Sequence, residues 1–586
     1  MEKATPEQDP ESQQYSSKLS YVRFIFDQAA ITPAVEHYPY AGSGTDADPY
    51  VVSFLPNDPR NPMGFPQWKK WAFTYLVALT GLCAAFTSSA YSGCIPQIVD
   101  NLDVSEEVAT LGIALYVLGF AIGPLLWAPL GELYGRQVVL FATFGALTAF
   151  NAGAAGSKNI QTLVILRFFA GAFGASPLTN AGGVVADMFP AAQRGLAMSL
   201  YAVAPFLGPV LGPIAGGFLG QASGWQWVEG LCAIFTGILW LAVTVLVPET
   251  YPPVLLRQRA DALSRRTGAC YASTFDLSRG GRPNPRDEFR KALLRPWALL
   301  LLEPIVLLLC TWMSIVYGTL YMLFAAFPIV YQSPRDAGGR GWNEGVGSLP
   351  FLGIAVGMVA AVAYNVLENR RYVRACLASP TGHAAPEQRL PGGMIGGVAL
   401  PVGLFWFAWT NAPAVSWVSS VFGGGVFGFG MVLVFISIKN YLVDAYTIYA
   451  ASALAASVVM RSFFGAAFPM FTTYMFRNLG IHWASSVPAF LALLCTPFPF
   501  LFWSWGPRIR ARCRYALEAE RYLQKAIEER ERQREGEDGR AGDKEKEKEK
   551  EKEKEKEKEK EKEKEKEKDG DVASDELPEE AASESL

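Results

Sequence analysis

Histidine, the side chain that most often serves in acid–base and metal chemistry, is scarce in this sequence. Only His37, His383 and His482 occur among 586 residues, and each lies outside the apolar runs or at their edges. The eight cysteines form no CxxC pair, so neither a zinc site nor a disulfide framework is indicated. Because no nucleophile–base pair, metal-ligand set or phosphate-binding loop stands out, we expect a protein that is not an enzyme and binds no metal.

A strong charge of one sign is also missing, since 52 basic and 55 acidic residues leave a formal net charge of −3. We therefore expect no nucleic-acid partner. The polar residues 1–70 contain no basic-then-apolar export signal. We expect them to form a cytosolic, mostly disordered N-terminal region, with the first apolar span acting as the insertion signal.

Apolar residues are abundant instead, at 51% of the chain in spite of a highly charged tail. A helix needs about 20 apolar residues to cross the hydrocarbon core of a bilayer. The segments that meet this requirement are 71–93, 108–130, 138–156, 160–186, 196–219, 226–247, 298–331, 346–367, 392–410, 414–438, 450–474 and 484–505. They predict an all-α membrane protein with twelve transmembrane helices. Two six-helix halves, 71–247 and 298–505, are joined by a basic cytosolic central loop, 248–297.

The loops carry an asymmetric charge. The predicted inner loops contain 17 Lys and Arg residues, Lys439 among them, against 4 in the outer loops. Because positive loops stay on the cytosolic side, we expect both termini there. The halves also echo each other, since Asp187 and Asp444 are each followed 21 residues later by a glycine, Gly208 and Gly465. Internal repeats of this kind are typical of secondary transporters, whose substrate site lies between the repeats.

A short turn, WAPLGELYGRQVVL at 127–140, separates two apolar runs. Gly135 supplies backbone flexibility, and Glu132 and Arg136 are four residues apart, close enough to pair. With Leu130, these residues resemble the loop between the second and third spans of the major facilitator superfamily. The resemblance implies a gating loop that latches the halves together when the cytosolic side is closed. An ordinary solvated turn is the alternative interpretation.

Two further stretches carry the same resemblance. LRFFAGAFGASP, with Arg167 and Gly171, is similar to the pattern of the fourth span. GPVLGPIAGG resembles the fifth-span motif that marks antiporters within the superfamily. Its matching residues are Gly208, Gly212, Pro213, Gly216 and Gly217. The glycines allow close helix approach and the proline bends the span, although glycine-rich packing alone remains an alternative.

Stretches such as NDPRNPMGFPQWKKW and PETYPPVLLRQRA narrow the resemblance, over residues 57–507, to fungal drug:proton antiporters with twelve spans. The closest subgroup contains polyamine and multidrug exporters. The resemblance implies a multi-pass protein of the plasma membrane that needs no cofactor, because the proton gradient supplies the energy. We expect a monomer whose partners are a small-molecule substrate and the lipid bilayer.

Charged residues inside a span are costly unless they are paired or hydrated, so each one is a functional candidate. Without a histidine in any span, proton coupling would depend on a carboxylate. Glu303, as the one clear acid within a span, is the first choice, and Asp187 is the second. The resemblance implies a role for Arg167 in proton exchange, and Arg461 lies near the middle of the eleventh span. The alternatives are a structural hydrogen bond for Glu303 and a salt bridge or carbonyl contact for Arg461.

Aromatic residues recur on one face of the seventh span, at Tyr317, Tyr321 and Phe324, and Asn180 and Tyr201 lie in the fourth and fifth spans. Together they predict an aromatic, weakly polar cavity for bulky amphiphilic compounds. Helix packing or lipid contact is the alternative. The scarcity of acids in the spans favours drugs or secondary metabolites, whereas the subgroup resemblance favours polyamines.

Residues 506–586 are predicted to be a mostly disordered cytosolic tail. It begins with a basic-then-mixed helix over 506–533, and from Lys544 to Lys568 lysine and glutamate alternate without an apolar residue. The sequence as a whole predicts a proton-coupled antiporter that exports small amphiphilic molecules, such as drugs, toxins or secondary metabolites, by alternating access. A polyamine exporter and a facilitative uniporter or nutrient symporter on the same fold stay open as alternatives.

Overall fold

A computed structural model of the chain describes residues 19–379, 384–525, 527–528, 552, 554 and 556, with side chains except at 191, 192, 194–196, 199, 202 and 337. Nearly all of the Lys-Glu repeat, and therefore the prediction made for it, lies outside the described residues.

The described chain is almost entirely α-helical. Its helices are α1 (Tyr21–Phe26), α2 (Pro33–Glu36), α3 (Gln67–Ala90), α4 (Ile95–Leu102), α5 (Glu106–Tyr134), α6 (Arg136–Ala155), α7 (Ile160–Gly174), α8 (Ser176–Met188), α9 (Ala191–Ser223), α10 (Trp225–Leu246), α11 (Pro252–Thr267), α12 (Thr274–Ser278), α13 (Pro285–Leu302), α14 (Pro304–Phe327), α15 (Glu344–Ser348), α16 (Phe351–Ala378), α17 (Pro391–Thr410), α18 (Trp417–Tyr446), α19 (Ala450–Cys495) and α20 (Pro497–Arg510). The strands β1 (Tyr50–Val52) and β2 (Tyr271–Ser273) pair in parallel.

Ten stretches of the described residues are long and apolar enough to cross a membrane. Nine of them each overlap one predicted span. The tenth, Trp417–Arg510, contains α18, α19 and α20, and covers three predicted spans. Within it the chain turns at Thr447–Tyr449 and again at Gly480, whose φ of 72° interrupts α19. The helical membrane architecture is therefore confirmed.

The glycines of the fifth-span motif lie where α9 packs against α3. A Cβ on Gly216 would lie 2.0 Å from the carbonyl oxygen of Ala90. A Cβ on Gly217 would lie 2.2 Å from the hydroxyl of Ser348, which belongs to the other half. Only glycine permits these approaches, so the motif sets how closely α9 packs on both neighbours.

The N-terminal region and the central segment, residues 248–297, fold together. Ile31, Val52 and Leu55 pack against Leu256 and Leu263 of α11 in one buried apolar cluster. The structure therefore corrects the predicted disorder of residues 1–70 over its described part, 19–70. Sequence reasoning missed this because neither segment is long enough to show a core of its own.

Polar contacts also hold this subdomain, which we call the N-terminal clamp (residues 19–66 with 248–282). The buried Arg259 guanidinium binds the buried Asp58 carboxylate, with Nη1 2.5 Å from Oδ2. Gln137 Nε2, next to the predicted gating loop, donates to the carbonyl oxygens of Ile25 and Val247 at 3.2 and 2.9 Å. Through Ile25 the clamp is thus bonded to the first turn of α6.

The first part of the tail is helical, as predicted for 506–533, with a break at 511–513. Residues 514–519 are helical, and Cys513, Ala516 and Ala519 are buried. Residues 506–519 are therefore ordered. The remaining segment, Glu520–Leu586, is a separate unit that is helical over 520–525.

Polar contacts join the two halves at the face opposite the central segment. Glu106 at the start of α5 forms a salt bridge with Arg477 of α19, at 3.3 Å. Gln97 of α4 donates to the Glu344 carboxylate at 2.7 Å, and Gly345 N–H donates to the Gln221 side chain at 3.1 Å. These bonds close that face of the bundle.

Candidate functional site

An aromatic cluster lies at the boundary between the halves, where the predicted cavity should be. Phe206 of α9 and Phe435 of α18 come from opposite halves, and their ring centroids are 4.8 Å apart. Tyr317 of α14 lies 6.3 Å from Phe435. We call Tyr317, Phe206 and Phe435 the boundary aromatic cluster.

Two cations lie against this cluster. The Arg461 guanidinium carbon is 4.9 Å from the Tyr317 ring centroid and 6.0 Å from that of Phe435. Lys439 Nζ lies 5.1 Å from the Phe206 ring centroid and 6.0 Å from that of Phe435. Both cations therefore lie within 6 Å of one phenyl ring.

The structure corrects the position of Lys439, which the charge count assigned to a cytosolic loop. Lys439 lies inside α18, about two helical turns before its last residue, Tyr446. A span predicted from hydropathy ends at the first basic residue, even where the helix continues beyond it. Lys439 was therefore assigned to the loop.

Neither cation has an acidic partner among the described side chains. Arg461 is 6% exposed, its Nε makes no hydrogen bond, and the predicted alternative of a salt bridge is not found in that part of the chain. Burying a charge at membrane depth costs about 3 kcal/mol or more, whereas a cation–π contact contributes about 0.5–2 kcal/mol. The aromatic rings alone thus compensate only part of the cost of the buried Arg461 charge.

A second buried charge site lies within the N-terminal half. Arg167 of α7 is fully buried, and its Nη1 donates to Oε1 of Glu229 in α10 at 2.6 Å. The same guanidinium donates to the carbonyl oxygens of Gly112 at 2.8 Å, Thr87 at 3.2 Å and Ser88 at 3.1 Å. Arg167 therefore links α3, α5, α7 and α10 through one side chain.

Sequence reasoning missed Glu229, and its statement that Glu303 is the one clear acid in a span is wrong. Glu229 is 1% exposed, and its Oε2 has no hydrogen-bond partner among the described residues. The signal was present in WQWVEGLCAIF, where one carboxylate interrupts an apolar run three residues after a predicted span begins. Proximity to the span edge made it resemble a loop residue.

Glu303, the first choice for proton coupling, lies at the junction of α13 and α14 and is fully buried. Its Oε2 accepts a hydrogen bond from the Tyr446 hydroxyl at 2.9 Å, and its Oε1 accepts one from the Tyr515 N–H at 2.8 Å. The structure does not bring it together with Arg167 or Arg461. These bonds match the structural alternative, since Glu303 joins the start of α14 to the last residue of α18 and to Tyr515 near the start of the tail.

The predicted gating loop is built around a different acid. Oε1 of the buried Glu249 accepts from Arg136 N–H at 3.0 Å, and Oε2 accepts from Gln137 N–H at 3.0 Å. Oε1 also accepts from the N–H groups of Thr250 and Tyr251, both at 2.9 Å. Because the first N–H groups of a helix lack intrahelical partners, Glu249 caps α6.

The Arg136 side chain does not pair with Glu132, its predicted partner. Its Nη1 donates to Asn180 Oδ1 at 3.1 Å, and its Nε lies 3.8 Å from Asp187 Oδ2. Its guanidinium also lies 4.8 Å from the Tyr251 ring centroid. Burial, with the Glu132 carboxylate nearby, raises the pKa of Tyr251.

Two predicted site residues therefore lie at the gating loop. Asn180, predicted for the substrate cavity, and Asp187, predicted for proton coupling, both bind Arg136 at the gating loop. Asn180 also donates through Nδ2 to the Trp127 carbonyl oxygen at 3.2 Å. Their positions follow from the packing of α8 against α5, which the order of residues along the chain does not reveal.

Asp187 and Asp444, which hold equivalent positions in the predicted repeat, also have equivalent partners in the structure. In the C-terminal half, Asp444 accepts from Arg389 Nε at 2.8 Å and from the Tyr372 hydroxyl at 3.0 Å. Each aspartate thus pairs with an arginine that lies between the second and third predicted spans of its own half.

The aromatic residues of α14 lie partly at the boundary between the halves and partly inside the C-terminal half. Tyr317 belongs to the boundary aromatic cluster, and the Tyr321 hydroxyl is 2.8 Å from that of Ser88 in the other half. Phe324 packs on Phe351 with ring centroids 5.5 Å apart, inside the C-terminal half. Tyr201 donates to the Leu178 carbonyl oxygen at 2.9 Å. Of the predicted cavity residues, Tyr317 lies against one of the two cations, Arg461.

Comparison with known proteins agrees with this architecture. The chain matches the Major Facilitator Superfamily over residues 77–469. It is 58% identical to the MFS-type efflux pump MFS2 of Trichophyton rubrum, over 87% of this chain and 85% of that protein. It is also 58% identical to the major facilitator superfamily multidrug transporter mdrA of Aspergillus fumigatus, over 88% and 84%.

The fold is similar to a solved structure of the proton:xylose symporter XylE, with a TM-score of 0.53 at 14% identity over 75% of this chain and 96% of that one. At this identity the likeness concerns the fold. From its helices, its motifs and its relatives, the chain is a multi-pass membrane transporter and belongs to the Major Facilitator Superfamily.

Proposed function

We propose that the protein exports small amphiphilic molecules, such as drugs, toxins or secondary metabolites, across the plasma membrane in exchange for protons. The names of its relatives, an efflux pump and a multidrug transporter, support the outward direction. The fifth-span motif supports antiport through the resemblance stated above.

The pair of Arg167 and Glu229 is the observation that carries the proton coupling. A buried carboxylate whose second oxygen has no hydrogen-bond partner in the described structure is suited to take up a proton. Protonation of Glu229 would remove the charge that holds the Arg167 guanidinium. Because Arg167 also binds carbonyl oxygens of α3 and α5, loss of this ion pair would loosen the packing of four helices at once.

Alternating access requires that the contacts between the halves break on one face and form on the other. The bonds of Glu106 with Arg477 and of Gln97 with Glu344 are the ones that would break for outward release. Binding would occur from the face that carries the central segment. A tag inserted after Arg279 tests this orientation, since we expect antibody access to it only in permeabilised cells.

The two cations at the boundary aromatic cluster weigh against the polyamine alternative. A polyamine carries several positive charges and needs carboxylates, whereas Lys439 and Arg461 would repel it.

Inside-out vesicles test the mechanism, with an azole, 2-naphthoate, 2-naphthamide and spermidine as probes. We expect uptake of at least one of the first three compounds to require an interior-acid proton gradient. Gradient-independent uptake would indicate a uniporter, and preferential uptake of spermidine would indicate a polyamine exporter.

Two matched variants then locate the coupling group. Glu229→Gln and Glu303→Gln each neutralise one fully buried carboxylate. We expect Glu229→Gln to abolish gradient-driven uptake and Glu303→Gln to retain it when protein amounts are equal. The reverse result would return the coupling role to Glu303.

A further inference from the structure

We infer that the boundary between the halves binds amphiphilic organic anions, with the anionic group between Lys439 and Arg461 and the apolar body on the boundary aromatic cluster. This inference rests on the proposed function and names the substrate class that the central site would take.

The charge of the site is the first argument. Arg461 is nearly fully buried with an unbonded Nε, and Lys439 and Arg461 each lie 6.0 Å from the Phe435 ring centroid. Two cations within 6.0 Å of one phenyl ring repel each other, and the buried Arg461 lacks hydration by bulk water. A negative group between them would compensate both.

The protein itself does not supply that group in the described structure. The acids on neighbouring helices are bonded elsewhere: Glu303 accepts from Tyr446 and Tyr515, and Asp444 accepts from Arg389. Glu229 is paired with Arg167 inside the N-terminal half. An anion from outside the chain is therefore the partner that the site lacks.

The rings around the cations define the rest of the ligand. Phe206 and Phe435 come from opposite halves, and Tyr317 lies beneath Arg461. A small inorganic anion would leave these apolar faces unused, whereas a ring system bearing a carboxylate or an enolate would use both features. Because the cluster spans the two halves, such a ligand would also contact both sides of the moving boundary.

Three naphthalene derivatives of nearly equal size test the charge preference: 2-naphthoate, 2-naphthamide and 2-naphthylmethylammonium. Their affinities for the purified full-length protein in nanodiscs are measured by quenching of naphthalene fluorescence. We expect 2-naphthoate to bind at least about tenfold more tightly than the other two, since a charged hydrogen-bond partner contributes about that factor or more.

Variants assign the preference to the two cations. We expect Lys439→Gln and Arg461→Gln each to weaken 2-naphthoate binding about tenfold or more while leaving 2-naphthamide binding nearly unchanged. Arg461→Lys, which keeps the charge, should retain most of the preference if a Gln variant fails to fold. Lys158→Gln is the matched control, because it removes an exposed lysine from a predicted outer loop. We expect it to leave the affinity for 2-naphthoate unchanged.

Equal affinity for the three compounds, tighter binding of the cation or binding of none of them would overturn the inference. So would an unchanged preference for 2-naphthoate in both Gln variants. Gradient-driven uptake of 2-naphthamide or an azole under the same conditions would leave the proposed antiport intact. Failure of the charge preference and failure of the antiport are therefore separable.

Discussion

Gly135→Ala should destabilise the protein far more than an ordinary change from glycine to alanine. Gly135 has a φ of 101° and a ψ of 161°, a region that residues with a Cβ rarely adopt. A Cβ there would lie 2.2 Å from Glu249 Oε2. The substitution therefore strains the backbone and displaces the carboxylate that caps α6.

The magnitude follows from these two effects. A non-glycine residue in such a region costs about 1–3 kcal/mol. Displacing Glu249 from the N–H groups of Arg136 and Gln137 adds about 1.5–3 kcal/mol for each charged hydrogen bond that is lost. We expect a decrease of about 4 kcal/mol or more in the free energy of unfolding, with both effects at the low end of their ranges.

Gly224→Ala is the matched control. Gly224 has nearly the same backbone conformation, with φ 94° and ψ 163°, and its Cβ would meet only the Gln226 side chain, at 3.3 Å. We expect Gly224→Ala to lower the free energy of unfolding through backbone strain alone, by about 1–3 kcal/mol. Reversible SDS titration of the purified protein in mixed micelles measures both changes.

A double-mutant cycle with Glu249→Ala isolates the contact. Because that variant has no carboxylate to displace, Gly135→Ala in its background should be less costly than in the wild type by about 3 kcal/mol or more. If Gly135→Ala costs no more than Gly224→Ala, or if the cycle is additive to within about 0.5 kcal/mol, Glu249 is not the reason that residue 135 must be glycine.

Two other substitutions test different parts of the fold. Arg259→Ala leaves the buried Asp58 carboxylate unpaired, at a cost of about 3–5 kcal/mol, and should speed limited proteolysis of the N-terminal clamp; Arg266→Ala, which breaks an exposed ion pair, should leave cleavage unchanged. Gly217→Val should separate α9 from α15 and so expose the buried Cys94. We expect faster labelling of Cys94 by a membrane-impermeant maleimide added at the face opposite the central segment. Labelling at the wild-type rate would contradict the closure of that face.

The candidate site was only partly predictable. Arg167 and Arg461 were found because a charge in an apolar run is visible in the sequence itself. Glu229 was missed and Lys439 was assigned to a loop, because both lie near span edges where hydropathy does not separate helix from loop. Glu303 was visible as a charge in an apolar run, but its bonds to Tyr446 and Tyr515 join residues more than 140 positions apart and could not be predicted.

What the sequence determined by itself is local: which segments are apolar enough to be membrane helices, where Gly135 must turn the chain, and which glycines allow close packing in α9. These properties depend on neighbouring residues and on the cost of exposing polar groups to lipid. Only the tertiary structure decided that Arg167 meets Glu229, that Asn180 binds Arg136, and that Lys439 and Arg461 share one phenyl ring. Each of these contacts joins different helices. Hydropathy along the chain does not specify which surfaces of two helices pack against each other.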